Sequence, residues 1–318
     1  MTSSLSLNLS VGSEENVMTP SNSTKSGTKT RMILVVGATG TLGGTITRML
    51  LAEGKPVRIL ARPHSKYQPL AETGAQVIMG DLKNRASLDP ACKGIDTVIT
   101  TANSALRGGE DNIQTVDLQG NRSLIDAAKA AGVRHFIYVS GNGADAKHPE
   151  PMLNAKGKTE EYLIKSGMQY TIIAPNPFMD VWIPMVIGGP ITAGRPVTLV
   201  GGNRKHSMIA SVDVAKFIMA FVDNPKAVNK RLIVGGPHAI SFRDAVAACE
   251  RTLNRKIPVQ TAVPMQSIQG FPDNLLGLLA GLDTYDSPIE MTELNKAFGI
   301  KLMSAEQFVT EMLKGAGT

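Results

Sequence analysis

"RMILVVGATGTLGGTITRML", residues 31–50, is the stretch whose reading decides the fold. Met32 to Val36 is a short apolar run ending in two valines, the pattern of a strand buried in a parallel sheet. Gly37, Gly40 and Gly43 follow at intervals of three, and a helical pattern then runs over 42–53. Each glycine answers a different demand. Gly37 permits the tight turn out of the strand. Gly40, without a Cβ, lets a phosphate approach the backbone. Gly43 lets the helix pack close to the sheet. The first N–H groups of that helix, and the positive end of its dipole, then face the phosphate. Thr39 and Thr41 add hydroxyl donors, and Leu42 belongs to the same cofactor-binding turn. The spacing is G-x-x-G-x-x-G, and its place between a strand and a helix is what makes it informative.

Strand patterns recur at 32–36, 57–61, 75–80, 97–102, 135–140 and 170–175, with helical patterns at 42–53, 112–131 and 154–166. Gly54, Gly132 and Gly167 stand where those helices would end. Alternation of this kind predicts an α/β fold of Rossmann type, a doubly wound parallel sheet with helices on both faces. After Pro175 the chain turns apolar and rich in Pro and Gly without a clear period. "SVDVAKFIMAFVDN" then reads as a helix capped by Ser211 or Asp213, "RLIVGG" as a strand, and "SFRDAVAACERTL" as a helix capped by Ser241 with Asp244 serving its dipole. The organisation expected is a disordered tail at 1–30, a dinucleotide domain at 31–175 and a small α+β substrate lobe at 176–318, interleaved with the sheet domain.

Bulk properties narrow the classes. The chain has 318 residues, 42% of them hydrophobic, enough for a large core. No apolar run is long enough to span a bilayer. Two cysteines, Cys92 and Cys249, make no disulfide framework, and five scattered histidines make no metal cluster. The net charge of +6 comes without a dense basic run and with only 4% aromatic residues, which argues against nucleic acid and for anionic small molecules. Residues 1–30 are rich in Ser, Thr and Asn, carry Glu14 and Glu15, and hold no Arg, unlike a secretory signal or a transit peptide. A cytoplasmic location is expected, with an organelle as the alternative. A homodimer is allowed but not required.

Ligands of such sheets bind beyond the carboxyl ends of the strands. The second strand is followed by Arg62, where an NAD-preferring fold would carry an acid; a guanidinium there suits a 2′-phosphate, so NADP(H) is expected over NAD(H). Asp81 and Leu82 follow the third strand and suit an adenine, although Asp81 equally suits a helix cap. Thr101, Ala102 and Asn103 follow the fourth, small enough for backbone to approach a cofactor, with Asn103 also a turn residue. Ser140 and Asn142 follow the fifth strand, and Lys156 sits near the start of the next helix, where it suits either the nicotinamide ribose or a solvated helix charge. Phe178, Met179, Trp182 and Met185, within the apolar stretch 177–187, suit a flat aromatic ligand, although a packed core is the commoner role for any one of them.

"VVGATGTLGG", "GDL", "FIYVSG", the Lys156-x-x-x-Glu160 helix, "PF-M" and "SVDVA" occur in an order that resembles the atypical short-chain dehydrogenase/reductases of the NmrA-like and isoflavone-reductase-like group, over about residues 32–260. The resemblance implies pyrophosphate binding at Gly37, Gly40 and Gly43, the 2′-phosphate at Arg62 and adenine at Asp81. It also implies an active-site lysine at Lys156, and a nicotinamide and substrate pocket at Pro175, Asn176, Pro177 and Phe178. Many short-chain dehydrogenases have Tyr-x-x-x-Lys. Here the tyrosine position is Met152, whose thioether donates no proton. The function expected is an NADPH-dependent reductase of a conjugated or aromatic carbonyl, quinone or enone. Lys156 would be the catalytic group, with Ser140 bonding the acceptor oxygen. A dinucleotide sensor is the second reading and an assembly subunit the third.

Overall fold

The computed structural model describes residues 31–315; the tail expected at 1–30 lies outside the described residues. Its elements are β1 (Ile33–Val36), α1 (Thr41–Ala52), β2 (Val57–Ala61), α2 (Gln68–Glu72), β3 (Gln76–Met79), α3 (Arg85–Cys92) and β4 (Thr97–Thr100). A π-helical stretch, Ile113–Gly120, leads into α4 (Asn121–Ala130), followed by β5 (His135–Val139), α5 (Pro151–Lys165) and β6 (Gln169–Pro175). The remainder holds α6 (Met179–Ile183), α7 (Gly189–Thr192), β7 (Val197–Leu199), α8 (Ser211–Phe221), β8 (Lys230–Val234), α9 (Phe242–Leu253), β9 (Val259–Thr261), α10 (Leu276–Leu282), α11 (Thr292–Phe298) and α12 (Ala305–Gly315).

Among the described residues, seven strands form one sheet in the order β3-β2-β1-β4-β5-β6-β8, and every neighbouring pair is parallel. The predicted Rossmann-type fold is therefore present. One face of the sheet packs Ile46 and Leu50 of α1 and Phe217 and Phe221 of α8, and the other packs Leu88 of α3, Leu124 of α4 and Leu163 of α5. A third apolar cluster is built from 179–309, where β7 and β9 form a two-stranded parallel sheet. β8, from the same half of the chain, completes the main sheet beside β6.

Two helices depart from the sequence pattern for visible reasons. The 112–131 segment is not one α-helix. The Asn121 amide donates to the Val116 and Asp117 carbonyls, five and four residues back, which holds the preceding turns open as a π-helix. Neither Ser211 nor Asp213 caps α8, whose N-cap is Ala210. The Ser211 amide and hydroxyl both donate to Asp180, at 2.6 and 2.7 Å, while Asp213 accepts from Met303 N and Lys216. The α9 cap is as predicted, a reciprocal box of Ser241 and Asp244.

His135 is fully buried on β5. The Thr171 hydroxyl donates to Ala227 O, so the His135 Nε2–H must be the donor in its 2.8 Å bond to Thr171. His135 Nδ1 has no partner among the described residues, and burial pushes the ring pKa down to about 4. A folded value below the unfolded 6.5 means that the unfolded chain binds the extra proton in this window, so stability falls as pH drops from 6.5 toward 4. Urea titrations at pH 7 and pH 5 should show a loss of about 2 kcal/mol from this group, and the pH dependence should shrink by that amount in His135→Asn.

Candidate functional site

The order of strands reverses between β1 and β4, and the carboxyl ends of β1, β2 and β4 open there into a groove. Of the residues singled out in the sequence, Gly37, Thr39, Arg62, Asp81, Leu82 and Ala102 all line it.

The glycine turn separates two kinds of constraint. Gly37 has φ +86°, and a Cβ there would lie 2.6 Å from Thr101 Oγ1. At Gly43 a Cβ would lie 2.2 Å from the Gly37 carbonyl oxygen, so α1 seats on the turn only with hydrogen at that position. Gly40 is different. Its backbone is extended, and a Cβ would meet only Gly37 O at 3.4 Å, an ordinary contact. Nothing in the fold demands glycine at 40. The N-terminus of α1 has no side-chain cap and no acid in its first turn, so its N–H groups and dipole face the exposed Thr39–Thr41 end uncompensated. This end fits a pyrophosphate, which would use the N–H groups and the space that a side chain at 40 would fill.

Around the groove, Arg62 pairs with Asp111, which also holds Lys83 at 2.8 Å and Arg107 at 3.2 Å. Burial alone would raise the Asp111 pKa, but Lys83 and Arg62 hold it down to about 2. Asp81 does not cap α3, a task taken by Asn84; its Oδ1 accepts from the Lys83 amide at 2.8 Å. Leu82 is buried against Gly120. Asn103 bonds within its own loop, to Thr101 O and Ala105 N, and acts as the turn residue. Arg58 ties β2 to Gln76 and to the carbonyls of Ala91 and Lys93, away from the groove.

The ends of β5 and β6 hold the second cluster. Lys156 is 9% exposed, with Nζ 3.3 Å from Val139 O and 5.7 Å from the centre of the Tyr138 ring. Burial lowers its pKa, partly opposed by Asp117 and Glu160. The Ser140 hydroxyl donates to Glu160, which Arg231 holds through Nε at 2.7 Å. That proton is committed, so Ser140 Oγ is left to accept from a ligand and not, as expected, to donate to one. Pro175 ends β6, and Asn176 is buried with its amide on Ser287 O and Oγ.

A hydrogen-bond chain there has a fixed direction. His206 Nε2 lies 2.8 Å from Leu282 O, which can only accept, so that nitrogen carries the proton. Burial lowers the His206 pKa and favours the neutral ring. Nδ1 then accepts from the Ser287 hydroxyl, Ser287 Oγ from Asn176, and Asn176 Oδ1 from Asn142 Nδ2. Asn142 Oδ1 is the acceptor that ends the chain. Phe178 and Pro177 are half-buried beside it in sequence, and Met152 is half-buried on α5. Met179 and Trp182 belong elsewhere. Both are buried, and Trp182 packs on Phe242 and Phe271 with ring centres 6.5 Å away, so the helical turn that presents Phe178 puts them in the apolar cluster built from 179–309.

Sequence reasoning did not find Asp111, Lys83, Arg107, Asp117, Asn121 or Arg231. Glu160 was within reach, because Lys156 and Glu160 stand at i and i+4 on one helix face. Asp117 carries another sign: it is fully buried, Oδ2 accepts from Ser104 N and Oγ, and Oδ1 has no partner among the described residues.

The NmrA-like family matches residues 29–308. The chain belongs to the NmrA-like family. Within it, the chain is similar to the photosystem II assembly factor Ycf39 of Cyanophora paradoxa, 34% identical over 74% of this chain and 73% of that one. It is also similar to the NAD(P)H azoreductase of Xenophilus azovorans, 29% identical over 77% of this chain and 83% of that one. Among solved structures it superposes on an NADPH-dependent quinone oxidoreductase from Escherichia coli with a TM-score of 0.76, 22% identity, and coverage of 89% of this chain and 100% of that one. That likeness places this NmrA-like chain in the same fold. Among the described residues no helix is long and apolar enough to cross a membrane, and no His, Cys, Asp and Glu cluster could hold a metal ion.

The glycine geometry predicts opposite outcomes for two neighbours. Gly43→Ala should cost about 1–3 kcal/mol by overpacking, and Gly40→Ala less than about 1 kcal/mol, both read from urea unfolding midpoints.

Proposed function

We propose that this NmrA-like protein is an NADP(H)-dependent reductase whose acceptor is a flat conjugated molecule such as a quinone, an enone or an azo compound. The observation that carries the reading is Gly40: a side chain is absent where the fold would tolerate one, at the bare N-terminus of α1 and at the switch point of the sheet. A bound pyrophosphate supplies the reason. Arg62, with Arg107 and Lys83 beside it, would hold the 2′-phosphate, Asp81 the adenine amino group, and Thr101, Ala102 and Asn103 the backbone side of the cofactor.

When bound, NADPH supplies a hydride to the acceptor, leaving NADP⁺, and one proton from water completes the reduction. Lys156 would bond the nicotinamide ribose and stabilise negative charge as it develops on the acceptor. Its burial keeps that charge from being screened by water. Pro175 to Phe178 would form the floor under the nicotinamide, Asn142 Oδ1 would accept from a donor on cofactor or substrate, and Ser140 Oγ would do the same. With Met152 at the position where many short-chain dehydrogenases have a tyrosine, that position offers no proton donor. A conjugated acceptor delocalises its charge and takes its proton later from solvent, which is why that class suits the site. The names of the azoreductase and quinone oxidoreductase relatives point the same way.

One observation favours a second reading. The relative named as an assembly factor is 34% identical and the azoreductase 29%. A chain that binds NADP(H) without turnover and acts on a protein partner would keep the glycine turn and Arg62 and have no need of an acid. The deciding experiment is loss of NADPH absorbance against quinones, enones, azo dyes and aldehydes, with NADPH binding measured in parallel. Oxidation with a conjugated class and not with simple aldehydes is the expected result; tight binding with no oxidation would give the place to the assembly reading. Arg62→Ala should weaken NADPH roughly tenfold to a hundredfold and NADH by less than about twofold, from the loss of a charged hydrogen bond. Lys156→Ala should cut turnover far more than NADPH affinity, and full turnover in that variant would remove Lys156 from the mechanism.

A further inference from the structure

Asp111 is the one carboxylate on which Arg62, Lys83 and Arg107 converge, and they come from three places in the fold. Arg62 follows β2, Lys83 follows β3, and Arg107 belongs with Asp111 to the segment that runs from β4 to the π-helix. Oδ2 takes both guanidinium groups and Oδ1 the ammonium. The Asp111 side chain is only 12% exposed and caps nothing; the adjoining helix is capped by its neighbour Asn112. All its side-chain bonds go to these cations, and Arg62, Arg107 and Asp111 line the same groove as Asp81 and Leu82.

Three cations held on one anion is the arrangement a phosphate monoester would itself make. A 2′-phosphate that reaches Arg62 must share that guanidinium with Asp111, and two anions on one cation repel. A 2′-hydroxyl pays no such cost, because it can donate to the carboxylate. The carboxyl is held down to about 2 by Lys83 and Arg62 against the opposing effect of burial, so it remains an anion at every working pH.

We propose that Asp111 is a specificity-determining residue, an internal counter-anion that competes with the cofactor's 2′-phosphate for Arg62 and Arg107 and so holds down the preference for NADPH over NADH. This rests on the assignment of Arg62 to the 2′-phosphate. It makes the groove tolerant of both cofactors, with the balance set by one carboxylate on the β4 side.

The test uses the full chain and the adenosine halves alone, 2′,5′-ADP and 5′-AMP, titrated calorimetrically into wild type, Asp111→Asn and Asp111→Ser. Both variants should bind 2′,5′-ADP about tenfold more tightly than wild type at low salt, with the gain shrinking as salt rises, and 5′-AMP within about twofold of wild type. Unchanged or weaker 2′,5′-ADP binding in both variants would overturn the proposal; weaker binding would show that Asp111 aligns the cations. An equal gain for 5′-AMP would overturn it too, since the effect would not be at the 2′ position. If wild type and Arg62→Ala both bind the two nucleotides alike, the assignment of Arg62 has failed, and the proposal with it.

Discussion

The constraint that the candidate site depends on is between two glycines of one turn. The carbonyl oxygen of Gly37 lies 2.2 Å from where a Cβ on Gly43 would stand. That contact lets α1 start directly above the end of β1, and so aims its free N–H groups across the switch point between β1 and β4. The groove, the placement of Arg62 at its edge and the packing of α1 against α8 all follow from how closely that helix seats. Two of the three glycines are thus consumed by the fold. The third, Gly40, is free for a ligand.

Away from this apolar wedge the structure relies on buried polar groups that complete one another. Glu160 is buried but holds Arg231 and receives Ser140, which ties α5 to the ends of β5 and β8. Asn121 accepts from Thr100 and donates to the opened turns of the π-helix, which in turn places Asp117 under Ser104. Removing one partner from such a set leaves the other unpaired in a medium where it has no water to turn to, and the loss exceeds the value of the bond itself. Two of these groups, Asp117 and Glu160, act on the charge of the buried Lys156 and oppose the effect of its burial.

Much of the fold was legible in the chain. β2 coincides with its predicted run at 57–61, and the other strands of the seven-stranded sheet agree to within a few residues, whereas β7 and β9 were not read from the sequence. The reason is local: buried parallel strands read as β-branched runs, and helices that return to them end at glycine. The break in 112–131 was illegible, since it depends on where one Asn121 amide turns. The cap of α8 was misread because Ser211 already lies inside the helix, and Asp180, thirty-one residues earlier, accepts from both its amide and its hydroxyl. Met179 and Trp182 have the composition of an aromatic pocket and the position of a core, and only packing tells the two apart.

By itself the sequence determined a parallel sheet with helical crossovers and the glycine turn after its first strand, because each rests on contacts between residues near one another or on a repeating hydrophobic period. Arg62 was visible for the same reason, as the residue immediately after a strand. The tertiary structure alone decided what Arg62 faces. Asp111 lies forty-nine positions away and meets it only because β1, β2 and β4 stand side by side in the sheet. The charge that tunes a site is set by distance in space, and distance in sequence carries no record of it.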